Sequence, residues 1–364
     1  MQMLDVDCLL VAESDPITGS LRRGPSMRAT NPPEGVRYTV RRDRFRYPKQ
    51  AAHYNLTPLG LGLGAVRLFS ERLARQSATR NFGLVHAFFW NWERFTVPWI
   101  HENDQSLGQF LGEYVHIEGI VKKGITWWFA SNLNSPKCRR VIVWSKWAKR
   151  GYVEDGVEES KITIIPPPFN PISDWRPHEN CNVLFIGRDY HRKGGDTLLR
   201  AFEGLRDFAD ARLIYVGKID DQEVLRRVKN DKRIMHYPNP SDAFLTREIF
   251  PVCDMFVLPT RADAFAISVV EAMSRAMPVV ASNISALPEI VEDGVSGFLA
   301  RPDDTDGFSG HIAKLIENRE LRRRIGREAQ KRVELNFSSK RIGAELEQVY
   351  ASALAYSLKE QRSR

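Results

Sequence analysis

No run of 18 apolar residues occurs anywhere in the 364 residues, so no membrane-spanning helix is expected. Met1 to Leu10 holds no basic stretch followed by a long apolar one, and no signal peptide is read there. Cysteine is scarce. Cys8, Cys138, Cys181 and Cys253 share neither a metal-binding spacing nor a disulfide pattern, and a reducing cytoplasm fits them. Basic charge comes without an aromatic-interleaved platform or a known nucleic-acid fold signature, so no nucleic-acid partner is expected. Gly60-Leu-Gly-Leu-Gly64 lacks both the preceding strand and the spacing of a dinucleotide fingerprint, and reads as a flexible lead into a helix over 65–78.

What is present fits a two-domain globular chain. The length exceeds one ordinary core, and the apolar fraction of 43% is normal. Acid is short in the first half only. Residues 1–172 carry 23 Lys and Arg against 16 Asp and Glu, while the remainder carries 30 against 29. Much of the surplus lies between Arg22 and Lys49. That segment reads either as a solvated, partly mobile face or as an attraction for an anionic surface, lipid head groups or an acidic acceptor.

The second half alternates short apolar runs with helical patterns. Strands are expected at 183–186, 213–216, 234–237, 255–258, 279–281 and 298–300. Helices are expected at 197–208, 222–229, 242–250, 268–275, 287–291 and 306–317. This is the pattern of βαβ units in a parallel, doubly wound sheet. Residues 321–358 read as helical. The first half is less regular, with strands at 6–12, 82–89, 97–104, 140–145 and 161–165. Asp15-Pro-Ile-Thr-Gly-Ser20 is a loop candidate, and the Arg-, Pro- and Asn-rich segment after it shows no helical periodicity. Ser145 is a cap candidate for a helix over 146–153. Trp127, Trp128 and Phe129 read as core or as a membrane anchor. Pro166-Pro-Pro168 stiffens the link between the halves.

Two stretches carry chemistry. In the first, the strand Met255 to Leu258 is stopped by Pro259 and Thr260. A tight loop with Asp263, Ala264 and Phe265 follows, and then a helix from Ser268 with Glu271 in its first turn. Strand, loop and helix N-terminus present backbone N–H groups to an anion. Glu271 also suits the helix dipole as a purely structural residue. Two carboxylates eight residues apart across such a terminus point further: one holds hydroxyls while the N–H groups hold a negative group. In the second stretch, a strand ends at Gly187 and a basic loop leads to Asp196, a candidate cap. Arg188 and Lys193 converge there on one anion, one as a planar fork and one as a point charge. A solvated basic turn is the plain alternative.

From about Arg140 to Tyr350 the chain resembles the family 4 retaining glycosyltransferases of GT-B architecture. Their hallmark is Glu, seven residues, then Glu; here the pair is Asp263 and Glu271, and Ala266 stands where Gly is usual. Gly187-Arg188 followed by Lys193-Gly194 is similar to the family's diphosphate clamp. The resemblance implies two Rossmann-like doubly wound parallel-sheet domains facing a cleft. They would be an acceptor-side domain, 1–170, and a nucleotide-sugar domain, 171–340, with a C-terminal helix, 341–364, crossing back to the first. The implied reaction moves a hexose-type sugar from a nucleotide-diphosphate sugar to a glycan, lipid-linked or other hydroxyl acceptor, with no cofactor and no metal. Asp5-Val-Asp7 and Asp304-Thr-Asp306, which mimic a metal-binding motif of the other glycosyltransferase architecture, read as incidental.

Residue by residue, the resemblance places Arg188 and Lys193 on the diphosphate. Glu271 would bind the ribose hydroxyls, with Asp263 at the donor sugar and the N–H groups of Phe265, Ala266 and Ile267 around sugar and phosphate. His236-Tyr-Pro238 would border the base. In the first domain His101 matches a histidine at the sugar, with His86 its competitor, although a lone strand histidine is usually core. Gly19 corresponds weakly to a glycine loop. A cytoplasmic enzyme, peripheral at an anionic inner membrane face, is expected. The alternatives are a non-catalytic nucleotide-sugar-binding protein and a nucleotide-sugar epimerase.

Overall fold

The computed structural model describes residues 4–13, 21–43, 81–89 and 95–362. Gly19 and its loop, the cations Arg44 to Lys49, Gly60-Leu-Gly-Leu-Gly64 and the helix expected over 65–78 lie outside the described residues. The chain forms two compact units, Met1–Pro168 with Ser339–Arg364, and Phe169–Ser338.

The first unit is built on β1 (Val6–Glu13), β2 (Val36–Asp43), β3 (Leu84–Phe88), β4 (Trp99–Asn103), β5 (Cys138–Val143) and β6 (Ile162–Ile164). Among the described residues they make a parallel sheet in the order β2-β1-β3-β4-β5-β6. Helices α1 (Arg23–Thr30), α2 (Leu107–Glu113), α3 (Gly119–Leu133) and α4 (Lys146–Glu154) connect the strands. Ser145 caps α4 by accepting from the Ala148 N–H at 3.0 Å, as expected. Successive strand residues point to opposite faces, and two cores result. Leu9, Val85, Trp99, Val141 and Val143 meet Phe129, Leu133 and Tyr152 on one side. On the other, Cys8, Leu84, Ile100 and Ile142 meet Ile342, Leu346, Val349 and Tyr350. The latter four belong to α12 (Ser339–Arg362), which returns to this sheet.

That return is held by a buried polar chain. Arg28 of α1 donates through Nε to Glu102 of β4, at 3.0 and 3.1 Å, and through Nη2 to the Ile165 carbonyl at 2.9 Å. Trp144 Nε1 donates to the same carboxylate at 2.7 Å, and His86 Nε2 lies 2.9 Å from it. His86 Nδ1 lies 2.5 Å from the Tyr350 hydroxyl, which in turn lies 2.6 Å from the Tyr38 hydroxyl. Burial alone would raise the Glu102 carboxyl, but Arg28 and His86 outweigh it and hold it well below the carboxylate range. Two expectations change here. The basic segment is not simply a solvated face, because Arg28 is fully buried and Arg37 bonds Asp5 and Asp7. Nor does it lack regular structure, since it holds both α1 and β2.

The second unit has β7 (Cys181–Ile186), β8 (Ala211–Val216), β9 (Ile234–Tyr237), β10 (Met255–Leu258), β11 (Val279–Ser282) and β12 (Gly297–Ala300). Its order is β12-β11-β10-β7-β8-β9, all parallel. This is the doubly wound order whose switch point, here between β7 and β10, opens a crevice at the strands' carboxyl ends. The helices are α5 (Gly195–Glu203), α6 (Gln222–Asn230), α7 (Asp242–Phe244), α8 (Ile267–Ser274), α9 (Leu287–Ile290), α10 (Thr305–Glu317) and α11 (Arg319–Phe337). The helix expected over 242–250 is only one turn of α-helix, continued by tighter and wider turns to Val252.

The four cysteines are buried and free. Among the described residues no helix is long and apolar enough to cross a membrane.

Candidate functional site

The two stretches singled out in the sequence leave the sheet side by side, from β7 and β10. Their loops are stitched together. The Arg192 carbonyl accepts from the Arg261 N–H at 2.8 Å and the Thr260 hydroxyl at 3.0 Å, and Arg192 Nη1 donates to the Ala262 carbonyl at 2.9 Å. Arg261 grips Asp196 with two bonds of 2.8 Å. Burial would raise Asp196, but this guanidinium prevails and holds its carboxyl below the usual value. Gly194 adopts φ +71°, and a Cβ there would sit 1.8 Å from the Pro259 carbonyl oxygen, so only glycine lets the loops touch.

The stitching delivers Lys193 to Asp263. Its ammonium contacts the Asp263 carboxylate, both side chains being largely buried. Arg188 is exposed, directly after Gly187. Glu271 is half-buried on α8, one residue further in than expected and so past the first turn, because the helix begins at Ile267. Ala266 occupies the N-cap position and has no side chain to offer, so the helix start is uncapped from within. Phe265 is buried and packs edge-on against Phe337, which fixes the turn.

Three expectations are corrected. The Ile267 N–H is committed to the Phe265 carbonyl at 2.8 Å and does not face a ligand. Asp196 does not cap α5; Gly194 holds that position and Asp196 receives Arg261. His101 lies in the core of the first unit, fully buried, with its Nε2 2.7 Å from the Tyr152 hydroxyl and its ring edge-on to Phe129. Burial, helped by the charge of His86, lowers it to about 3, so it is a neutral core histidine. The unfolded chain binds a proton at this residue below about 6.5 while the folded chain refuses it down to about 3. Stability is therefore complete above that window and falls through it, by about 1.4 kcal/mol per pH unit. Melting curves between pH 7.5 and 5 should show this slope, and His101→Gln should flatten it.

Sequence reasoning missed Arg192 and Arg261, the residues that hold the site together. Arg261 directly follows the strand-ending Pro259-Thr260, which was the available signal.

Beside these loops, Gly217 follows β8 at φ +143°, where a Cβ would lie 1.8 Å from the Gly187 carbonyl oxygen. His236 Nε2 donates to the Gly217 carbonyl at 2.8 Å. His236 and Pro238 line a cavity of about 480 Å³ with Lys218, Ile219, Leu225 and Val228. Charged clamp, uncapped helix start and half-apolar pocket thus share one end of one sheet.

Residues 175–332 match the family described as glycosyl transferases group 1. The second unit belongs to that family. Within this group 1 unit lie all the clamp residues. The chain is 28% identical over 222 residues to a phosphatidyl-myo-inositol mannosyltransferase of Mycolicibacterium smegmatis, covering 60% of this chain and 57% of that one. It is 26% identical over 163 residues to an N-acetyl-alpha-D-glucosaminyl L-malate synthase of Bacillus anthracis, covering 43% and 42%. The chain thus spans about half the length of the curated relatives it matches. Two solved structures share the fold over nearly the whole length. Sucrose-phosphate synthase from Thermosynechococcus elongatus gives a TM-score of 0.73 at 18% identity, covering 96% of this chain and 99% of that one. Anabaena HepE in complex with UDP and glucose gives 0.66 at 15%, covering 95% and 100%. The fold is therefore GT-B, two Rossmann-like parallel-sheet units with a helix returning to the first.

Proposed function

We propose that the protein is a retaining glycosyltransferase that moves a hexose-type sugar from a nucleotide-diphosphate sugar to a hydroxyl acceptor. The observation that carries this is the meeting of Lys193 and Asp263 at the switch point of the group 1 unit. Lys193 and Arg188 neutralise the diphosphate, whose charge grows as the sugar leaves. Two cations in those places remove the need for a metal. Asp263 contacts the sugar, Glu271 holds the ribose hydroxyls, and the Phe265 and Ala266 N–H groups complete the anion site. The base enters the cavity under His236 and Pro238. The acceptor oxygen bonds to the anomeric carbon on the face from which the phosphate departs, and its proton passes to a phosphate oxygen of the leaving group. That route requires no separate base, in keeping with the neutral, buried His101.

The relatives' names support a sugar transfer and leave the acceptor open; a glycan or lipid-linked hydroxyl, met at a cytoplasmic membrane face, is our reading. Thermal shifts with UDP-, GDP- and ADP-sugars test it, because a donor that binds only the folded state raises the melting temperature. One nucleotide class should shift the wild type, and Glu271→Ala should remove most of that shift while leaving the unliganded melting point within about 1–2 °C. No shift with any donor would overturn the assignment. A shift without transfer to any acceptor would favour the binding-protein reading, motivated by Asp263 in place of the longer carboxylate. Product formed without acceptor would favour epimerisation.

A further inference from the structure

The group 1 unit has a second cavity, of about 610 Å³, at the other end of its sheet. Its wall includes Cys181, which opens β7, and Asp210, Asp254 and Pro278, which directly precede β8, β10 and β11. All these strands are parallel, so their amino ends lie together, and the clamp leaves from the opposite, carboxyl ends. The volume suits a small molecule.

Five arginines line it: Arg275, Arg319, Arg322, Arg323 and Arg327. Two of them are fixed. Arg275 donates to Asp174 at 3.2 Å and to the Glu271 carbonyl at 3.1 Å, with its guanidinium over the Phe250 ring. Arg322 donates to the Leu315 carbonyl at 2.6 Å. Arg319, Arg323 and Arg327 recur every fourth residue along one face of α11, and all three are exposed. Arg323 and Arg327 have no ion pair or hydrogen bond among the described residues. Like charges four apart on a helix repel. Arg319, Arg322 and Arg323 also stand in the first turns of α11, where the helix dipole disfavours cations. Helix terminus and guanidiniums therefore add to one positive potential, which an anion would relieve.

Three carboxylates share the wall, Glu179, Asp210 and Asp254. Asp254 is largely spent: it accepts from the Asn182 N–H at 2.8 Å, stands 4.0 Å from Arg322, and is pushed up by burial. Glu179 and Asp210 are exposed, and Glu320 and Glu328 of the same helix are not on the wall. The cations thus outnumber the acids. Trp175, 48% exposed, adds a flat face, with the His178 ring 5.6 Å from it.

We propose that this cavity is a second anion site that takes a small phosphate ester carrying a ring, its phosphate on the arginines of α11 and its ring against Trp175. Guanidinium forks match phosphate oxygens in pairs. The proposal does not rest on the donor assignment, and the test separates the two. Calorimetry with inorganic tripolyphosphate on full-length Arg188→Ala/Lys193→Ala, which lacks the clamp, should still show one site. Adding Arg323→Ser/Arg327→Ser should weaken it by about tenfold or more. The unliganded melting temperature should not fall, because both positions are exposed and their charges repel. In the otherwise wild-type chain this pair of serines should leave any donor-induced shift unchanged. Phenyl phosphate should displace tripolyphosphate several-fold better than inorganic phosphate does, and Trp175→Ala should erase that difference. No binding once the clamp is removed, or binding that the serines leave unaltered, would overturn the site. Equal displacement by the two phosphates in the presence of Trp175 would overturn the ring.

Discussion

Lys193→Ala is expected to lower sugar transfer by at least about 100-fold and to remove the donor-induced thermal shift. The ammonium does two things. It supplies a charge-assisted contact to the departing diphosphate, and losing one such donor at a developing anion costs roughly 10²–10³-fold in rate. It also cancels the charge of Asp263, with which it is in contact. Without it, a largely buried carboxylate is left facing an incoming dianion. Lys193→Ala/Asp263→Asn separates the effects. If charge cancellation matters, the double variant should regain donor binding relative to Lys193→Ala while transfer stays low. Arginine at 193 would keep the charge but not the compact fit, so partial activity is expected there. Full activity of Lys193→Ala, measured with whichever nucleotide sugar shifts the wild type, would remove the clamp from the mechanism.

The second large effect is on stability. Arg28→Met should destabilise the first unit by about 3–5 kcal/mol, because it strands the buried Glu102 carboxylate. For a body of this size that corresponds to a fall in melting temperature of roughly 6–20 °C. Adding Glu102→Gln should restore part of the loss, since an amide still accepts from Trp144 and carries no charge. The group 1 unit should be little affected, so a donor-induced shift should persist in whatever fraction stays folded. An unchanged melting curve for Arg28→Met would mean that the buried pair contributes nothing net.

Why was this network unreadable beforehand while the clamp was not? Lys193 and Asp263 sit on short loops directly after strands that neighbour each other at a switch point, so local pattern and sheet order together bring them close. Arg28, Glu102, His86 and Tyr350 are separated by up to 322 residues and meet only because α12 returns to the first sheet. The strands β9 and β10 fall where their apolar runs end because turn residues bound them on both sides. In contrast β2 was overlooked behind its charge, although Val36, Tyr38 and Val40 alternate with Arg37, Thr39 and Arg41 as an edge strand should. His101 was misplaced for a related reason: sequence gives the strand but not which of its residues reaches the end that faces a ligand.

The Phe169 N–H donates to the Phe337 carbonyl at 2.7 Å. The polypeptide therefore enters and leaves its 169–338 half at a single seam. That half is an insert, excisable as a gene fragment by two cuts and closable by a short splice. Truncation from either end would wreck the host fold and spare the insert, whereas exchange at the seam would graft one specificity onto another without disturbing either core.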